Sequence, residues 1–130
     1  MNDCIFCKIS KGEIPSEKIF EDADFVSFLD IQPVSHGHIL IIPKKHVVWM
    51  QDADDNTISG IFKLAKKLMR AIKKGVECDY VQLSVSGTDI PHFHIHIIPR
   101  YFKDGLSEWP KMKYEEGDMS KNAKKIISKL

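Results

Sequence analysis

The segment that most constrains this chain is His92-Phe93-His94-Ile95-His96-Ile97-Ile98, bracketed by Pro91 and Pro99. Side chains alternate faces along a strand, so the three imidazoles share one face and Phe93, Ile95 and Ile97 share the other. The second face must be core. The first needs a partner for every ring, because burying an unpaired polar group costs on the order of 1–3 kcal/mol. A half-exposed polar face accounts poorly for three imidazoles in a row, and the internal position excludes an expression tag. One metal ion held by all three rings is strained: a strand rises ~3.3 Å per residue, which sets the outer Cα atoms roughly 13 Å apart, against zinc–nitrogen bonds of only ~2 Å. Two of the rings could share an ion. A histidine nucleophile with helper histidines uses all three positions without strain. Imidazole has an ordinary pKa of about 6.5, so it attacks phosphorus readily near neutrality. Its neighbours can protonate a leaving group and hold the charge on phosphate oxygens.

The rest of the chain supplies a frame for that strand. Glu17 to Glu21 reads as a first strand, Asp22-Ala23-Asp24 as a turn, and Phe25 to Leu29 as a second strand ended by Asp30 and Pro33. His38 to Ile42 is a nearly continuous apolar strand between Gly37 and Pro43. Ile58, Ile61, Phe62, Ala65, Leu68, Met69 and Ile72 recur at helical spacing, which predicts a helix over 57–74 with a lysine-rich outer face. Asp54, Asp55 or Asn56 can cap it and Gly75 can end it. Tyr80 to Val85 alternates as a strand, and His92 to Ile98 is the last strand. Residues 103–119 read as irregular, and Ala123, Ile126, Ile127 and Leu130 predict a short helix after Ser120. Strands on either side of one helix, joined mostly by short turns, make an α+β fold: a mainly antiparallel five-stranded sheet, one long central helix and a short C-terminal helix.

Composition narrows the function classes. The 130 residues fit one domain spanning 1–130, and 43% hydrophobic residues are enough for a core. A net charge of +1 argues against bulk electrostatic capture of nucleic acid or membrane. No apolar run approaches the roughly 18 residues of a membrane span, and Met1-Asn2-Asp3-Cys4 does not open a signal peptide, so a cytoplasmic protein is expected. Three cysteines make a poor disulfide framework. Cys4-x-x-Cys7 reads as a redox pair, half a zinc site or two unrelated buried thiols. A redox pair wants a βαβ context and a Gly-Pro-like turn, which Ile5-Phe6 is not, and a zinc site needs two further ligands. Cys78, beside a turn, receives no role.

The run from His92 to Arg100 resembles the signature of the histidine triad (HIT) family, most closely its Hint-like branch. Ile5-Phe6-Cys7-Lys8-Ile9, Gly12-Glu13-Ile14-Pro15, Glu21-Asp22, Phe28-Leu29-Asp30-Ile31 and Gly37 to His46 follow in the family's order. The resemblance covers about the first hundred residues, implying a HIT-like core over 4–101 and a tail over 102–130. It implies a nucleotide hydrolase acting on nucleoside 5′-phosphoramidates or related nucleoside phosphate linkages and releasing a nucleoside monophosphate. His94 is then the nucleophile, forming a nucleotidyl-histidine intermediate that water splits. His96 contacts the transferred phosphate, and His38 joins their hydrogen-bonding network. A backbone carbonyl after the triad is available to fix the tautomer of His94.

By the same resemblance, Ile5, Phe6, Ile9, Phe28, Asp30 and Ile31 form the nucleoside site: the apolar side chains sandwich a purine and Asp30 accepts from ribose hydroxyls. Ile5, Ile9 and Phe28 are equally explicable as core, and Asp30 as a turn residue. Cys4 and Cys7 resemble a pair that in some bacterial members binds a structural zinc ion, completed here by His46 and His92. A homodimer is implied, with Trp109 a candidate for reaching the partner's site. Nucleotidyl transferases of the family usually carry glutamine at the position of His96. Dinucleoside polyphosphate hydrolysis and a nucleotide-binding module with incidental hydrolysis remain as alternatives. The clear departure is Ser84-Val85-Ser86-Gly87-Thr88-Asp89-Ile90-Pro91, which lacks the family's usual asparagine and glutamine. Ser86, Gly87 and Thr88 can offer hydroxyls and amides to phosphate, whereas Asp89 is a poor neighbour for it.

Overall fold

In a computed structural model, described here for residues 3–106 and 110–130, five strands form one sheet with helices against it. In chain order these are α1 (Ile5–Ser10), β1 (Lys18–Glu21), β2 (Phe25–Leu29), β3 (Ile39–Pro43), α2 (Asp55–Gly75), β4 (Tyr80–Ser84), β5 (Ile95–Arg100) and α3 (Asp118–Ile127). The sheet order is β1-β2-β3-β5-β4, antiparallel throughout. The helix α2 carries the chain from β3 to the far edge, and β5 then returns into the gap between β3 and β4. His96 thereby lands mid-sheet, paired with Leu40 on one side and Ser84 on the other.

The expected α+β architecture is present, with boundary differences that have physical causes. The strand expected to open at His92 opens at Ile95. Ahead of it the chain takes its hydrogen bonds outside the ladder: His92 N–H donates to the Ile90 carbonyl at 2.8 Å and Phe93 N–H to the Val47 carbonyl at 2.6 Å. Asp54 is the cap of α2, its carboxylate accepting from Thr57 N–H at 2.7 Å. The C-terminal helix starts at Asp118, two residues before Ser120. The helix α1 is absent from the sequence reading. It is six residues long, too short to display a helical period.

The two faces of the sheet bury different things. On one, Ile61, Leu64, Ala65, Leu68 and Ile72 of α2 pack over Ile39, Ile41, Phe93, Ile95 and Ile97. Each fully buried aliphatic side chain there contributes roughly 1.5–3 kcal/mol. On the other, Cys4, Phe6, Cys7 and Ile9 of the α1 segment pack over Val26, Phe28, Leu40 and Ile42. The imidazole face is therefore covered by a second, smaller core. None of the α3 side chains is buried.

Candidate active site and metal centre

The histidines can be assigned proton by proton from their partners, since a neutral imidazole has one donor and one acceptor nitrogen. Val34 N–H donates to His38 Nδ1 at 3.0 Å, which places the His38 proton on Nε2. That Nε2–H points at His96 Nδ1, 3.0 Å away, so His96 carries its own proton on Nε2. His94 Nδ1–H donates to the His92 carbonyl at 2.7 Å, leaving the lone pair of His94 on Nε2. The carbonyl that fixes this tautomer lies two residues before His94 and not after the triad as expected. A side chain pointing off irregular backbone ahead of β5 can reach back to it, which an extended ladder would prevent.

These rings form one cluster. The His94 and His96 ring centroids are 4.9 Å apart, and Phe6 meets His94 edge-on at 5.0 Å. Asp30 Oδ2 is 3.6 Å from His38 Nε2. Burial pushes the pKa of both His38 and His96 below the ordinary imidazole value, so both are neutral at pH 7. His94 is 1% exposed, and its Nε2 has no hydrogen-bond partner among the described residues. Asp89 Oδ1 stands 3.3 Å from that nitrogen, off the hydrogen-bonding direction. A buried nitrogen lone pair beside an Nε2–H donor is arranged to attack an electrophile while the donor holds an oxygen of it.

The structure brings some expected residues together and separates others. Phe6, Ile9 and Phe28 are buried, with Phe6 and Phe28 in edge contact at 5.6 Å. Ile5 and Ile31 are exposed, Ile31 at 95%, so neither is core. Asp30 Oδ1 accepts from Gln32 N–H at 2.9 Å, the turn role, while its other oxygen faces His38. Ser86 and Thr88 are exposed with hydroxyls 3.4 Å apart, and Gly87 is buried at a φ of +80°, where a Cβ would come within 3.3 Å of the Trp49 ring. Trp109 lies outside the described residues. The contact of Asp89 with His94 is a feature of the cluster that residue-by-residue reasoning missed. Its signal was an acidic residue where phosphate is expected.

A second cluster forms on the N-terminal side. Cys4, Cys7, His46 and His92 each point one ligand atom into a common space, all within 4.8 Å of one another. His92 Nδ1 is 3.2 Å from Cys4 Sγ, 3.5 Å from Cys7 Sγ and 3.2 Å from His46 Nδ1, and Cys7 Sγ is 3.3 Å from His46 Nδ1. Ligand atoms around a tetrahedral zinc ion are about 3.3–3.8 Å apart, given Zn–S near 2.3 Å and Zn–N near 2.0–2.1 Å. The donors present fit such an ion. His92 Nε2–H donates to the Pro43 carbonyl at 2.8 Å, which leaves Nδ1 as the lone pair facing the centre. Burial pushes the Cys7 thiol above its ordinary pKa, with the hydrogen bond to Cys4 second; a cation between the sulfurs would reverse that.

Fold and site together define a small α+β domain with a buried histidine cluster beside four converging Cys and His donors. The HIT domain family model matches residues 11–103, and the chain belongs to that family. Among curated relatives, the adenosine 5′-monophosphoramidase of Saccharomyces cerevisiae is 39% identical over 98% of this chain and 82% of its own. Among solved structures, a member of the HIT family from Bacillus subtilis superposes with a TM-score of 0.88 at 36% identity, covering 98% of this chain and 97% of that one. A zinc-bound histidine triad family protein from Mycobacterium smegmatis superposes with a TM-score of 0.78 at 30% identity over 99% of both chains. No helix among the described residues is long and apolar enough to cross a membrane.

Proposed function

We propose that the chain hydrolyses nucleoside 5′-phosphoramidates or related nucleoside phosphate linkages and releases a nucleoside monophosphate. The observation that carries this reading is the lone pair of His94: Nδ1 is committed to the His92 carbonyl, and Nε2 is buried with no hydrogen-bond partner among the described residues. In this reading His94 Nε2 attacks phosphorus and forms a nucleotidyl-histidine, which water then cleaves. The Nε2–H of His96 donates to a phosphoryl oxygen, and His38 orients it through the 3.0 Å contact to Nδ1. Ser86, Gly87 and Thr88 would offer hydroxyls and backbone amides to the phosphate. Asp30 is available to ribose hydroxyls, and the exposed Ile5 and Ile31 offer apolar surface to a purine. The activity named for the yeast relative supports the same chemistry.

Cys4, Cys7, His46 and His92 would hold a structural zinc ion, all four positions being taken by protein and none left for water. When bound, the ion supplies a fixed cross-link between α1, the segment after β3 and the segment before β5. A homodimer is part of the proposal, supported by the uncovered Ile126 and Ile127 of α3, and so is residence in the cytoplasm, supported by an odd count of three cysteines, a poor disulfide framework. The test is release of AMP from adenosine 5′-phosphoramidate, beside His94→Ala. Wild-type turnover should fall by at least about 10³-fold in the variant. A folded, AMP-binding wild type that releases nothing rejects the phosphoramidase; turnover of a dinucleoside polyphosphate instead would favour that alternative, and failure of both would leave a nucleotide-binding module.

A further inference from the structure

We propose that Asp89 is the leaving-group determinant of this site, favouring substrates whose leaving group departs as a cationic amine over those that release sulfate or phosphate. The inference rests on the hydrolase reading above. It starts from the position of the Asp89 carboxylate, 3.3 Å from His94 Nε2. The His94 side chain is fully buried, whereas that of Asp89 is 59% exposed. The carboxylate thus lies on the solvent side of the attacking nitrogen, the side from which a phosphorus atom must approach. A reacting phosphorus needs about 3–3.5 Å from its nucleophile. Asp89 stands at that distance, so it swings outward when substrate enters. Its exposure leaves it room to do so.

In-line displacement sends the leaving group away from Nε2, toward the same solvent side. The swung-out carboxylate therefore borders the exit. The other carboxylate bearing on the cluster, Asp30, is also negative, and both act on the His96 ring. Asp89 is ionised at neutral pH: burial acts to raise it, and hydrogen bonds from its own and the Ile90 backbone N–H groups hold it below the usual carboxylate range. The full charges that the fold sets against the histidines are thus both anionic.

The chemistry balances without a further reagent. His94 Nε2 forms a bond to phosphorus as the P–N bond breaks, and the departing nitrogen keeps the electron pair. That nitrogen takes its protons from solvent and leaves as an ammonium ion beside Asp89. Water then adds to phosphorus, the P–Nε2 bond breaks with its pair returning to nitrogen, and the water's proton passes to solvent. An anhydride substrate would instead expel a sulfate or phosphate anion past the same carboxylate. Two unit charges about 5 Å apart, in a medium between protein surface and water, shift such a preference by about 10- to 100-fold.

The experiment compares kcat/KM for an adenosine 5′-phosphoramidate of a primary alkylamine and for adenosine 5′-phosphosulfate, in wild type, Asp89→Asn and Asp89→Ser. Both substitutions are at an exposed loop position, and the asparagine keeps the side-chain shape. The expected result is a fall of at least about 10-fold in the ratio of amine to sulfate release in both variants, smaller at high salt. Equal changes on the two substrates, or none, overturn the assignment of Asp89 and leave the hydrolase standing. A wild type inert on both substrates while binding AMP overturns the hydrolase reading and this inference with it.

Discussion

Replacing Phe6 with alanine removes a ring that is 3% exposed and that meets three other rings edge-on: Phe28 at 5.6 Å, His92 at 5.9 Å and His94 at 5.0 Å. It is the side chain through which α1 closes the imidazole face. A Phe→Ala change at a closed site costs about 3–5 kcal/mol, the lost transfer energy plus the cavity left behind. Collapse is restricted here, because the neighbouring rings are held by their own hydrogen bonds: His94 by the His92 carbonyl and His92 by the Pro43 carbonyl. An unfolding entropy of about 2.1 cal/mol/K per residue amounts to about 0.27 kcal/mol/K over 130 residues. The expected loss in melting temperature is therefore roughly 11–18 °C. Phe6→Leu keeps most of the volume and should lose about 1.5 kcal/mol or less. Thermal unfolding followed by circular dichroism reads both. A drop below about 4 °C for Phe6→Ala would refute the reasoning, since α1 could then not be sealing that face.

Two further outcomes are expected. Chelation should lower the melting temperature by about 10 °C if the metal was held near a hundredfold excess over its dissociation constant, about 2.7 kcal/mol, while turnover per folded molecule persists at low temperature; loss of turnover with melting unchanged would identify the metal as catalytic. Stability should also depend on pH. Because burial depresses the His38 and His96 pKa values, the unfolded chain binds protons first as pH falls, so their contribution is full above about pH 6.5 and is lost below it. The urea midpoint should fall between about pH 7.5 and 5.5, and His38→Asn should flatten that fall; a midpoint that rises on acidification contradicts the burial argument.

What could be read in advance follows from period and length. Tyr80 to Val85 and the His92 to Ile97 run alternate, and Ile61, Ala65, Leu68 and Ile72 repeat every three or four residues, so the sheet and its main helix were legible. The six residues of α1 complete fewer than two turns, and they read equally as an apolar stretch. The grouping of Cys4, Cys7, His46 and His92 came from resemblance, since His46 lies 39 residues from Cys7 and 46 from His92 along the chain. The tautomers were out of reach, because they depend on the amide of Val34 and the carbonyls of Pro43 and His92, and every residue carries such groups. Asp89 was noticed as the wrong charge, but its place beside His94 depends on how the loop 85–94 folds back toward β5.

The bond from Phe93 N–H to the Val47 carbonyl has a consequence for how the proposed zinc site is built. It clasps the strip carrying His46 to the strip carrying His92 through main chain alone. On the opposite wall, Cys7 N–H reaches the Cys4 sulfur at 3.3 Å inside the first turn of α1, so that pair is spaced by a helix rather than by an ion. Loading then resembles a key entering a cut lock more than a clay mould taking an impression. If these four donors take up zinc, uptake should be limited by desolvation of the ion and departure of thiol protons, with the sheet intact throughout.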